Sequence, residues 1–172
     1  MASLMENLVD VLEKESIEYE ILLGLSMKKT SVIVAGDLEK LQQITDEEQL
    51  VVSRINHLEQ KREEVVKDIA NVINADAKKV KLADFVKMLE QRPAEQAKLA
   101  SAHDKLRNVA GQMRRVNEQN RELLQNAMEM VEFDMNVLQA MKAAPETANY
   151  NKGAYSSGSV MGMERNGFDA KQ

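Results

Sequence analysis

Groups able to do chemistry are few and badly spaced in this 172-residue chain. His57 and His103 are its two histidines. A di-iron centre in a helical bundle needs Glu-x-x-His on two helices. Arg54 and Ala100 occupy the positions three before His57 and His103, so that centre is excluded. There is no Cys, hence no disulfide framework and no thiolate chemistry. No glycine-rich phosphate loop is present. The acidic pairs Glu47-Glu48 and Glu63-Glu64 are adjacent residues, which point apart on a helix and cannot work as paired acid and base. They read as solvated faces. The expectation is a protein that is not an enzyme and has no cofactor, no metal and no catalytic residue.

What the spacing does build is helical surface. Leu41, Ile44, Glu48, Val51, Ile55, Leu58, Arg62, Val65, Ile69 and Val72 alternate by three and four residues. Leu99, Ala102, Leu106, Val109, Met113, Val116, Asn120, Leu123, Ala127, Met130, Asp134, Val137 and Met141 do the same. A helix turns every ~3.6 residues, so each row forms one seam against a partner helix. Aromatics are 3% with no Trp, and 11 Met join the Leu, Val and Ala fill. That composition suits narrow bundles, and 30% charged residues suit rods with much surface. Net charge is −5 and the basic patches (Lys28-Lys29, Lys78-Lys79 with Lys81, Arg114-Arg115) are short, which argues against nucleic acid as partner. The start lacks a basic region followed by an apolar run, so no signal peptide is expected. No stretch reaches the ~18 apolar residues of a membrane span, and a cytoplasmic protein without membrane insertion is expected.

The pattern predicts an all-α fold: an elongated antiparallel bundle or coiled coil of three long helices plus one short one, in a domain over residues 1–144. Ser3-Leu-Met-Glu6 reads as a capping box opening a first helix over 3–35. This helix is apolar on most faces from Ile17 to Val34, and Gly24 within it reads as a close helix–helix approach. Gly36 as terminator and Asp37 as N-cap predict a tight reversal into a second helix over 38–74, continuous through Thr45 despite a further capping-box pattern there. Residues 74–80 read as connector and 81–91 as a short amphipathic helix. Pro93 opens the last helix, over 93–143, and Pro145 ends it. The tail, 145–172, holds four of the seven glycines and no helical period, and is expected to be disordered and flexible.

Four seam positions are polar: Glu48, Arg62, Asn120 and Asp134. A buried charge without a partner is costly, so each must find one or reach water. Arg62 either meets an acidic or amide group, among Glu15, Asn117, Asn120 and Glu48, and so fixes register, or lies exposed at the seam edge.

Beside the last seam runs a second row, polar from His103 to Arg121, then apolar at Leu124, Met128, Val131, Met135 and Leu138, with Phe133 on another face. An up–down–up topology brings this end toward the apolar half of the first helix. Two arrangements follow: the apolar surfaces bury each other as core, or they leave a groove for an amphipathic helix of another chain. Met suits a surface that adapts its shape. On the second arrangement the partner-binding residues are Leu124, Met128, Val131, Phe133, Met135, Leu138 and Met141.

The order and spacing of several stretches resemble the FlgN-like flagellar export chaperones. These are Leu12-x-x-Glu15-x-x-x-Tyr19-x-x-Leu22-Leu23, Gly36-Asp37-x-x-x-Leu41, Ile44-Thr45-x-x-Glu48, Leu58-Glu59-x-x-Arg62, Asn117-x-x-Asn120-x-x-Leu123-Leu124 and Tyr150-Asn-Lys-Gly153. The resemblance implies a cytosolic type III export chaperone that binds hook–filament junction (hook-associated) proteins, prevents their premature assembly and delivers them to the flagellar export apparatus. It also implies that the C-terminal part, carried onto Leu124 through Met141, engages the substrates. The competing reading is a structural coiled-coil subunit that self-assembles through the same seams. A homo-oligomer remains open on either reading.

Overall fold

The computed structural model describes residues 2–76 and 81–143. Among them are four helices and no strand: α1 (Ala2–Ala35), α2 (Leu38–Val72), α3 (Leu82–Met88) and α4 (Pro93–Ala143). The fold is the expected all-α one, three long helices and a short one. The 145–172 tail and part of the connector, 77–80, lie outside the described residues. The described residues divide after Glu132 into two units, one up to 132 and one over 133–143. The bundle described next belongs to the first.

The α1–α2 turn is set by two residues. Gly36 takes φ +68, a left-handed conformation that costs other residues a clash between Cβ and carbonyl. Its N–H donates to the Ile33 carbonyl at 3.1 Å and the Asp37 N–H to the Val32 carbonyl at 3.3 Å, the paired bonds of a Schellman cap. The Asp37 carboxylate then accepts from the Lys40 N–H at 3.0 Å and starts α2. Gly36→Ala should lower folding stability by about 1 kcal/mol, read as a shift in urea midpoint; an unchanged midpoint would mean that the turn has another route. Asn74 (φ 52) closes α2 the same way, its neighbour Ala75 donating to the Ala70 carbonyl at 2.9 Å.

α2 and α1 are antiparallel, as Glu15–Arg62, Glu18–Arg54 and Lys29–Glu48 ion pairs record. α4 runs parallel to α1, with Glu20 against Lys105 and Thr30 against Asn120. The core is layered. One layer gathers Leu8 and Leu12 of α1, Val65 and Ile69 of α2, Phe85 of α3 with Leu89 just after it, and Leu99, Ala102, Leu106 and Val109 of α4. A smaller one holds Leu22, Leu25, Val51 and Ile55. α3 is fastened to α4 by Gln96, whose Nε2 donates to the Val86 carbonyl at 3.0 Å.

Four local expectations are corrected or resolved. α1 begins at Ala2, so Ser3 lies inside the helix and exposed rather than capping it. α2 passes unbroken through Thr45, whose hydroxyl donates to the Leu41 carbonyl within the helix instead of capping a new one. Val72 is exposed while Ala70 is fully buried. A straight helix drifts ~20° per heptad against a 3.5-residue row, and by Val72 the row has left the packed face. Gly24 is exposed, and a Cβ there would meet nothing within 4 Å, so it serves no close approach within the described chain.

Candidate partner-binding surface

The α4 seam is packed in its first half. Leu99, Ala102, Leu106, Val109 and Asn120 are buried, and Met113 and Val116 are half-buried. Beyond Asn120 the burial fades. Leu123, Leu124 and Ala127 are half-buried, and Met128 is 72% exposed. Met130 and Val131 are exposed as well. Among residues 133–143, Phe133, Met135, Val137, Leu138 and Met141 are all exposed, Phe133 at 67%. Of the seven residues singled out from the pattern, Leu124 is thus half-buried and six are exposed. Exposed apolar side chains in such density mark interaction surfaces more often than scattered single ones do. Two further exposed residues, Met130 and Val137, belong to the seam row. A periodic row announces burial somewhere, and does not distinguish the protein's own core from a partner's.

The polar seam residues show why packing is strong before this stretch. Glu48 accepts from the Ser26 hydroxyl at 2.7 Å and from Lys29 Nζ at 2.8 Å. Asn120 donates to the Ser26 carbonyl at 2.8 Å, and its Oδ1 accepts from the Thr30 hydroxyl at 2.6 Å. Together they form a satisfied polar layer across three helices. Arg62 finds Glu15, with Nη1 3.1 Å from Oε2. Asp134, the fourth, is exposed to water.

The Glu15–Arg62 pair is unequal. The Glu15 side chain is wholly buried whereas that of Arg62 is 26% exposed. Neither Glu15 oxygen makes a hydrogen bond, so the pair is close but poorly angled. Burial pushes the Glu15 carboxyl up to about 7; Arg62 pulls it down and Glu59 adds to the rise. Tyr19, whose hydroxyl donates to Glu59 at 3.3 Å, is raised too, by burial first and then by Glu59. Arg62 also borders an open cleft of about 710 Å³ with Glu63, Lys81, His103 and Arg107.

The described chain is thus a helical bundle with a polar-layered core and a run of exposed apolar side chains on its last helix. The chain matches the model of the FlgN protein family over residues 1–157 and belongs to that family, the flagellar export chaperones. It is 25% identical over 144 residues to an uncharacterized protein, YvyG, of Bacillus subtilis (strain 168), covering 84% of this chain and 83% of that one. No solved structure matches it. Among the described residues, no helix is long and apolar enough to cross a membrane.

Proposed function

We propose that this protein works in the cytoplasm as the export chaperone of hook–filament junction (hook-associated) proteins. It keeps them from assembling early and hands them to the flagellar type III export apparatus. The observation that carries this reading is the exposure of Met128 and Val131, and of Met135 and Leu138, on the helix that ends the described chain of a FlgN family member. A junction protein assembles through amphipathic terminal helices. An apolar helical face lent to such a helix covers its assembly surface by burial alone, so the action needs binding and release and no catalysis or cofactor. Met side chains let one face accept more than one sequence. Release must follow delivery, which sets affinity at roughly micromolar to nanomolar.

Calorimetric titration of the full chain with C-terminal helical peptides of the junction proteins tests this. Saturable binding at a defined stoichiometry is expected. The double variant Met128→Asp/Met135→Asp should weaken it about tenfold or more while helical content stays unchanged. Unaltered binding by a folded double variant would remove this face from the site. No binding by the wild type, together with growth into large homo-oligomers, would favour a structural subunit instead.

A further inference from the structure

The end of α4 has a charge pattern that its apolar rows leave unexplained. Residues 122–141 include Glu122, Glu129, Glu132 and Asp134 and no Lys or Arg, and all four acids are exposed. At ~3.6 residues per turn, Glu122, Glu129 and Glu132 fall beside or behind the apolar rows. Asp134 falls inside them. On a helix the neighbours of a residue stand three and four positions to either side. For Asp134 these are Met130, Val131, Val137 and Leu138, each of them exposed. Among the described residues no ion pair reaches Asp134, and its charge is stabilised by water.

A carboxylate in that place costs nothing while the face is bare. Once another helix covers the face, the water leaves, and a charge without a partner becomes expensive. The occupant must therefore bring a cation to Asp134. A second copy of the same face cannot, because it has acids and no base to offer, and like charges would meet. A helix with a wholly apolar row cannot either. A helix with one Lys or Arg inside its apolar row can. The resulting pair also fixes which turn of that helix lies at Asp134, as a single polar position sets register in a coiled coil. Glu129 and Glu132 add a field of the same sign, which draws a basic partner in.

We infer that the segment seated on this face is an amphipathic helix carrying a Lys or Arg within its apolar row, and that Asp134 receives that cation and selects for it. This rests on the reading of the α4 end as the surface that binds other proteins.

Calorimetry of the full chain with the C-terminal helical peptides of the junction proteins tests it. The apolar row of the peptide that binds should contain a Lys or Arg. Replacing that residue with Leu should weaken binding to the wild type about tenfold or more. Asp134→Leu should reverse the preference and bind the Leu-substituted peptide more tightly than the original. Its circular dichroism should match the wild type, because the position is exposed. Equal affinity of the wild type for the two peptides would overturn the inference and leave the surface in place. So would a tightly bound peptide with no Lys or Arg in its apolar row, or an Asp134→Leu variant that keeps the wild-type preference. Binding of neither peptide by the wild type would overturn the inference together with the reading beneath it.

Discussion

Phe85→Ala should lower folding stability by about 4 kcal/mol. Phe85 is the largest wholly buried side chain in the described residues, and it sits on a helix of only seven. Such a helix has no stability of its own, since nucleation outweighs the bonds it makes. What holds α3 is the insertion of Phe85, with Leu89, into the layer built by α1, α2 and α4. Removing the ring empties space bordered by three rigid helices, which relax only partly, so a cavity adds to the lost burial. The loss should appear as a drop in thermal midpoint of roughly 10 °C. Phe133→Ala is the control: the same chemistry at a 67% exposed position should stay within about 0.5 kcal/mol. A Phe85 variant as mild as the control would mean that α3 is an ornament on a three-helix core.

The second large effect concerns pH. With its carboxyl raised to about 7 in the folded chain against an ordinary 4.5, Glu15 binds its proton more tightly folded than unfolded. Its contribution to stability is therefore fully present below about pH 4.5 and is lost as pH rises through 7. The shift corresponds to roughly 3 kcal/mol between those limits. Glu15→Gln keeps the shape and removes the titration. Arg62 loses its counter-charge in this variant, a change that often destabilises a buried pair. Here the guanidinium is a quarter exposed beside an open cleft and can turn to water, while the carboxylate has no such exit. Relieving the buried charge should win. Glu15→Gln is expected to gain on the wild type by roughly 3 kcal/mol between pH 5 and pH 8, read from paired urea titrations. Every other group is common to both proteins and cancels in the difference. Parallel stability profiles would show that Glu15 stays ionised throughout.

Periodicity made most of the architecture readable, because seam rows follow from helix geometry alone. The Gly36-Asp37 turn was readable because each residue has a distinct backbone role there. The partner of Arg62 was narrowed to four residues, one of them Glu15, since a half-buried cation leaves few choices. What could not be read is which neighbour each face meets. α1 is apolar nearly all round from Ile17 to Val34, yet its neighbours cover one side only, burying Leu22, Leu25 and Ile33 and leaving Ile17, Ile21, Met27 and Val34 bare. Gly24 looks the same in sequence whether it faces the chain's own core or open water. Glu15 falls in the three-and-four row of Leu8, Leu12, Tyr19 and Leu22, but that row does not tell whether its carboxylate is covered or reaches water. The double apolar row from Leu124 onward was visible as a pattern, but whether its occupant is the chain itself or a partner lies outside any local pattern.

The polar layer has a consequence for errors rather than for strength. Apolar rows are forgiving: slide α4 along α1 by one turn, ~5.4 Å, and Leu, Val and Met still meet Leu and Ile. Asn120 would not survive that slide. It would leave the Ser26 carbonyl and the Thr30 hydroxyl, and its amide would be stranded near Leu22 or Leu25 with neither its donor nor its acceptor satisfied. Each stranded group costs about 1–3 kcal/mol, a sizeable part of the roughly 5–15 kcal/mol by which a domain stays folded. The one asparagine thus works as a detent, a stop that a helix otherwise smooth to sliding clicks into once.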